Sequence, residues 1–184
     1  MLQRYAQSSM TVQADIIYQP LSGQYTEKHF ETLKDDFKIQ SWTWTLFTKS
    51  DGTKWTASFS GGQTDKRQLE LFSETPFAFV VSDGQGYFVN VEKEKLIKHT
   101  SQDSIRELTT NADKSLILFA DSSNIFSVDT SLEVKQLEVP FEFYFVWFKQ
   151  LSGDKLKIEY EEMYTGDFKT IYLDIKIFEF INDD

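Results

Sequence analysis

From Gln40 onward the apolar residues recur at every second position, the period of a strand with one covered face. SWTWTLF (41–47) sets Trp42 and Trp44 on one side and threonines on the other. Asp51-Gly52 then separates it from KWTASF, and an Asp-Gly pair between two aromatic-rich runs is a strong hairpin signal. QLELF (68–72), KLIKH (95–99) and VKQLEV (134–139) read as further strands. KLKIEYEE (155–162) alternates strictly, with Leu156, Ile158 and Tyr160 inward and Lys155, Lys157, Glu159 and Glu161 outward. FEFYFVWF (141–148) is apolar on both sides: Phe141, Phe143, Phe145 and Trp147 share one face, Glu142, Tyr144, Val146 and Phe148 the other. Such a run predicts a central strand covered on both faces. In TIYLDIKIFEF (170–180) the parity holds from Ile171 to Ile177 and slips at Phe178, which predicts a bulge or a strand end buried on both faces.

The first forty residues follow a different pattern. VQADIIY (12–18) reads as a strand closed by the turn-like Pro20-Leu21-Ser22-Gly23. Thr26 then precedes a segment in which Phe30, Leu33 and Phe37 recur at helical spacing, with Thr26 as cap and Glu27 at the positive end of the dipole. This predicts one amphipathic helix over 26–36. The expected architecture is a single domain over 1–184, mainly β. Residues 1–40 form a strand–turn–helix portion packed on a β-rich body over 41–184. About ten to twelve short strands in antiparallel meander sheets would form a sandwich or open barrel.

Two segments, PFAFVVSDGQGYFVNV (76–91) and SLILFADSSNIFSVD (115–129), look like copies of one hairpin. Each apolar run ends at an aspartate, and Asp83 and Asp121 lie 38 residues apart. The strand–Asp–turn–strand pattern resembles the inner hairpin of a β-propeller blade, which makes a small propeller-like β-repeat the alternative fold. One further step forward lands on LKIEYEE, where the turn is missing. One step back lands in WTLFTKSDGTKW, where the turn is only approximate.

Composition narrows the function classes. The formal net charge is −10, and residues 93–184 hold 18 acidic against 11 basic side chains. Nucleic-acid binding needs a positive footprint, so it is not expected. No cysteine is present, which removes thiolate metal sites and cysteine nucleophiles and fits a reducing compartment. No segment approaches the ~20 apolar residues of a membrane helix, and the N-terminal residues do not read as a signal peptide. A cytoplasmic protein away from membranes is the expectation.

Candidate chemistry is sparse. Gly84-Gln85-Gly86 is followed by a strand instead of the helix a dinucleotide site needs, so these glycines shape a hairpin. His29 and His99 are the two histidines, and either with a serine and an aspartate is the minimum for a hydrolase. Glu159, Glu161, Glu162 and Asp167 cluster about one turn, without the spacing of a calcium loop. They read as a charged face able to contact a partner. Trp42, Trp44 and Trp55 form either cross-strand core pairs or a stacking platform for a ligand.

An acidic β protein of this size resembles in general character the acidic immunity proteins that bacteria pair with toxins, a resemblance of charge and class with no motif behind it. It implies a non-enzymatic interaction protein whose partner is another, basic, protein, with no cofactor. The alternatives are a β-barrel or sandwich binding a small ligand or carbohydrate, and a carboxylate- or histidine-dependent hydrolase.

Overall fold

The computed structural model describes residues 11–32 and 41–182. Among the described residues there are sixteen strands and no helix, and so none long and apolar enough to cross a membrane. The strands form four sheets of four, with no closed barrel.

The first sheet holds β1 (Gln13–Ile17), β2 (Thr26–Phe30), β3 (Trp42–Thr48) and β4 (Lys54–Ser60) in the order β1-β3-β4-β2. The second is the meander β5 (Gln68–Leu71), β6 (Phe77–Ser82), β7 (Gln85–Asn90) and β8 (Lys95–His99). The third is β9 (Glu107–Thr110), β10 (Leu116–Ala120), β11 (Ile125–Asp129) and β12 (Val134–Gln136). The fourth is β13 (Phe143–Ser152), β14 (Lys155–Glu162), β15 (Phe168–Asp174) and β16 (Glu179–Asn182). All described pairings are antiparallel except β2 with β4.

That exception overturns the helix expected over 26–36. Thr26 to Phe30 run parallel to β4, from Thr26 opposite Trp55 to Phe30 opposite Phe59. The free edge of β4 satisfies the backbone groups of this segment, Phe30 packs 5.5 Å from Phe59, and Lys28 reaches Glu94 at 3.5 Å. Local helix propensity is a weak preference beside a ladder and a core contact. Positions 31 and 32 carry no regular structure, and Leu33 with positions 34–36 of the expected helix, and Phe37 beyond it, lie outside the described residues.

Successive sheets pack face to face. Phe47, Trp55, Ala57 and Phe59 of the first sheet meet Ala78, Val80, Tyr87 and Val89 of the second. The other face of the second sheet, Phe79, Val81 and Phe88, meets Ile117, Phe119, Phe126 and Val128 of the third. Beyond them Leu118, Ala120 and Ile125 meet Val146, Leu156, Ile158, Ile171 and Leu173 of the fourth. Rings follow the same path: Phe79–Phe88 and Phe119–Phe126 stack within their own sheets, with centroids 4.6 and 5.0 Å apart, and Phe79 meets Phe119 across the two sheets at 5.5 Å, tilted by 40°.

The similarity of the twin hairpins has a physical reason. Both β6–β7 and β10–β11 lie in interior sheets, so each strand needs apolar side chains on both faces. Every residue of β7 is buried. Gly86 is required by close packing as well: a Cβ there would meet the Phe79 ring at 2.8 Å. The repeat also runs further than its hairpins suggest. β6, β10 and β14 begin at Phe77, Leu116 and Lys155, a constant step of 39 residues. The turn after β14 lies later, at 163–167, which is why the register appears lost at LKIEYEE.

Two strand expectations need correction. FEFYFVWF does not form a central strand: β13 is at the edge of the fourth sheet. A register shift between Phe143 and Phe145 inserts an extra residue, so Phe143 and Val146 are buried and Phe145 turns outward, 41% exposed. TIYLDIKIFEF is not one strand but the hairpin β15–β16, and the parity slip is its turn, where Phe178 has φ +58°.

Candidate functional site

The fourth sheet presents an outward face on which the sequence-named carboxylates meet aromatic rings. Glu161 on β14 stands between Phe145 on β13 and Phe168 on β15, and Glu159 stands opposite Trp147. Phe145 and Trp147 are 6.0 Å apart, and Trp147 and Phe168 are 5.8 Å apart, so the three rings form a continuous row. At the β14–β15 turn the row ends among the most exposed aromatic residues of the chain: Tyr164 is 81% exposed, Phe168 73% and Tyr144 52%. Tyr144 is the extra residue of the β13 bulge, which pushes it out of the sheet.

Glu162 and Asp167 belong to this same end. Glu162 accepts hydrogen bonds from Lys169 at 2.5 Å and Thr165 at 2.7 Å, and its backbone N–H donates to the Asp167 carbonyl. The Lys169 bond, then that of Thr165, holds the Glu162 carboxyl below the usual range. Glu159 is likewise lowered, first by its hydrogen bond from Lys149; its ion pairs to Lys149 and Lys157 span 3.1 and 3.5 Å. Glu142 raises the Tyr164 phenol, by hydrogen bonding first and then by the charge of its carboxylate. The four carboxylates named from sequence thus share one sheet, three at the turn and Glu159 further along, interleaved with lysines.

A cleft of about 310 Å³ opens beside the Phe145 and Trp147 rings of this row, across β14 from Phe168. Its walls are the 63–65 segment after β4, Arg106 and Glu107 at the start of β9, and Phe145 to Trp147. The Arg106 guanidinium lies 5.0 Å from the Phe145 ring centroid, and among the described residues it has no ion-pair partner. Burial pushes the Glu107 carboxyl up, against the charges of Lys66 and Lys149 and a hydrogen bond from the Phe148 N–H. The 63–65 wall is tied down at several points. Gln63 N–H donates to Asp103 O at 2.7 Å, Thr64 N–H to Asp83 O at 2.8 Å, and the Thr64 hydroxyl to Ile105 O at 2.8 Å.

Behind that wall sits Asp83, 7% exposed and at φ +44° in the β6–β7 turn. Arg67 Nε donates to Oδ1 at 2.6 Å and Arg67 Nη2 to Oδ2 at 3.1 Å, and the Ser41 hydroxyl also donates to Oδ2. Burial raises this carboxyl, but the Arg67 and Ser41 hydrogen bonds together with the Arg67 charge outweigh it and leave it below the ordinary value.

The tryptophans do not converge. Trp55 is 1% exposed, stacks on Phe47 at 4.5 Å and donates to Val91 O at 3.0 Å, so it belongs to the core between the first two sheets. Trp42 and Trp44 lie on the opposite face, both edge-on to His29, at 6.2 and 5.7 Å. His29 Nδ1 is 2.6 Å from Ser58 Oγ, a pairing created by the register of β2 on β4. Ser58 is only 1% exposed beneath that ring, so the pair presents no hydroxyl to a substrate. His99 donates through Nδ1 to the carbonyl of Thr100 at 3.0 Å.

Sequence reasoning missed Arg106, Tyr144, Tyr164 and Phe168 as candidates. The aromatic density of 141–148 is a legible signal, but the bulge that decides which rings face outward is not. Arg106 carries no signal, because its role depends on β9 lying beside β13. No protein-family model matches the chain, and no curated protein matches it.

Proposed function

We propose that the protein is a non-enzymatic interaction module that binds a basic surface of another protein through the β14–β15 end of its fourth sheet. The observation that carries this reading is the grouping of exposed Tyr144, Tyr164 and Phe168 with Glu142, Glu161, Glu162 and Asp167. Aromatic anchors inside a polar rim are the usual anatomy of a protein contact, and a few such anchors supply most of its energy. The charge of −10 steers a basic partner toward that face. The scaffold suits the task because three internal cores hold the sheets, leaving the outer face free of a packing role. We read the fold as propeller-like rather than as a sandwich, supported by the 39-residue step and by first strands that lie together, β1 by β5 and β9 by β13. A cytoplasmic setting belongs to the same proposal and is supported by the lack of cysteine.

The test is affinity capture from the native host at low salt, run in parallel with the wild type and a Tyr164→Ala/Phe168→Ala variant. A partner retained by the wild type, lost by the variant and associating more slowly in salt supports the reading. Equal retention by both proteins overturns it.

A further inference from the structure

We propose that the cleft between the 63–65 segment, β9 and β13 is a saccharide-binding site, lined by other residues than those of the protein contact it adjoins. The ring row supplies the first requirement of such a site: Phe145 and Trp147 lie 6.0 Å apart with planes 29° from parallel, and a sugar ring stacking there shares the rings with Arg106, 5.0 Å from the Phe145 centroid, and Lys149, 5.5 Å from that of Trp147. The second requirement is donors and acceptors placed together, because each sugar hydroxyl does both. Arg106 brings guanidinium donors, Gln63 an amide that donates and accepts, and Asp65 and Glu107 acceptors.

Arg106 brings one sign of charge to the cleft and Asp65 and Glu107 the other, and a polyhydroxyl ligand, whose hydroxyls both donate and accept, uses both. The volume of about 310 Å³ falls at the lower end of small-molecule sites, ~300–1,000 Å³.

The site is also held ready before binding. Gln63 Nε2 donates to Asp103 Oδ2 at 2.9 Å, and the main chain on either side of it is bonded to Asp103 and Asp83. Arg106 is parked on Phe145, which restricts its rotamers. A preformed wall lowers the ordering cost of association.

The experiment titrates the full chain with soluble hexasaccharides of glucose, N-acetylglucosamine, mannose and galactose, read by tryptophan fluorescence and calorimetry. At least one is expected to bind saturably with Kd near or below ~1 mM. Trp147→Ala should abolish binding, Trp147→Phe should retain it by keeping a ring there, and Arg106→Ala should weaken it by about tenfold or more. Arg106 is exposed, so its variant tests the site even if Trp147→Ala fails to fold. Tyr164→Ala, at the protein-contact end, should leave saccharide binding unchanged. The proposal is overturned if no hexasaccharide binds, or if binding survives both Trp147→Ala and Arg106→Ala. It also falls if those two variants abolish only the capture of a protein partner.

Discussion

Removing Arg67 should cost this protein more than neutralising the aspartate it binds, although both changes break the same ion pair. The Asp83 side chain is 9% exposed, whereas that of Arg67 is 46% exposed. In Asp83→Asn the guanidinium swings into water and is rehydrated. Asparagine tolerates the positive φ at this turn and still accepts from Ser41, so the loss is confined to the charge-assisted bonds, about 2 kcal/mol. In Arg67→Met a carboxylate stays buried with only the Ser41 hydroxyl to satisfy it. Stranding a buried charge costs ~3–5 kcal/mol, and the upper half of that range is softened here because the carboxyl can take up a proton.

The pH dependence follows from the same geometry. In the wild type the Asp83 carboxyl lies below its ordinary value, so its contribution is present above the unfolded pKa and is lost as pH falls through the folded one. The deficit of Asp83→Asn should therefore shrink as pH falls below the ordinary aspartate range and through the lowered folded value. In Arg67→Met the carboxyl has lost the group that lowered it, and mild acid should relieve the penalty. Urea unfolding of the three proteins from neutral pH downward measures all of this, with m-values checking that the unfolded states match. An Arg67→Met loss no larger than that of Asp83→Asn, or deficits that do not change with pH, would refute the reasoning.

Three further outcomes are expected. Phe79→Ala removes a fully buried ring stacked on Phe88 and tilted against Phe119 and should cost about 3–5 kcal/mol in chemical denaturation, among the largest single losses in the chain. Gly62→Ala would place a Cβ 2.7 Å from Gln85 N and 2.9 Å from Asp83 O, both backbone atoms; it should lower the melting temperature and loosen the 63–65 wall, seen as faster amide exchange at Gln63 and Thr64. Burial raises the Glu107 carboxyl, so its favourable contribution is present at low pH and lost as pH rises through the raised value. Glu107→Gln should accordingly melt no lower than the wild type at neutral pH and lose its relative advantage on acidification, and a variant clearly less stable at neutral pH would count against that sign.

The readable and unreadable parts of the chain divide along the range of the interactions involved. Strands with one wet face, such as Lys155 to Glu162, were legible because alternation is set by the nearest covered surface. Asp83 and Asp121 look equivalent in sequence, yet they do different work. Asp121 accepts the N–H groups of Ser123 and Asn124 within its own turn, both at 2.8 Å, while Asp83 holds a guanidinium sixteen positions away. Thr26 to Phe30 carries the marks of a helix start, and only the free edge of β4 makes it a strand. The acidic cluster was legible as charge. Its aromatic company was not, because a single extra residue at Tyr144 decides which of the neighbouring rings face solvent.

By itself the chain determined its β class, its turns and its acidity, since these follow from local periodicity, turn chemistry and side-chain counts. The order of the sheets, the outward aromatic row and the cleft at Arg106 were decided only in the tertiary structure. Each depends on which strand edge or sheet face is left over once the others are paired, and that is a property of the whole assembly of strands.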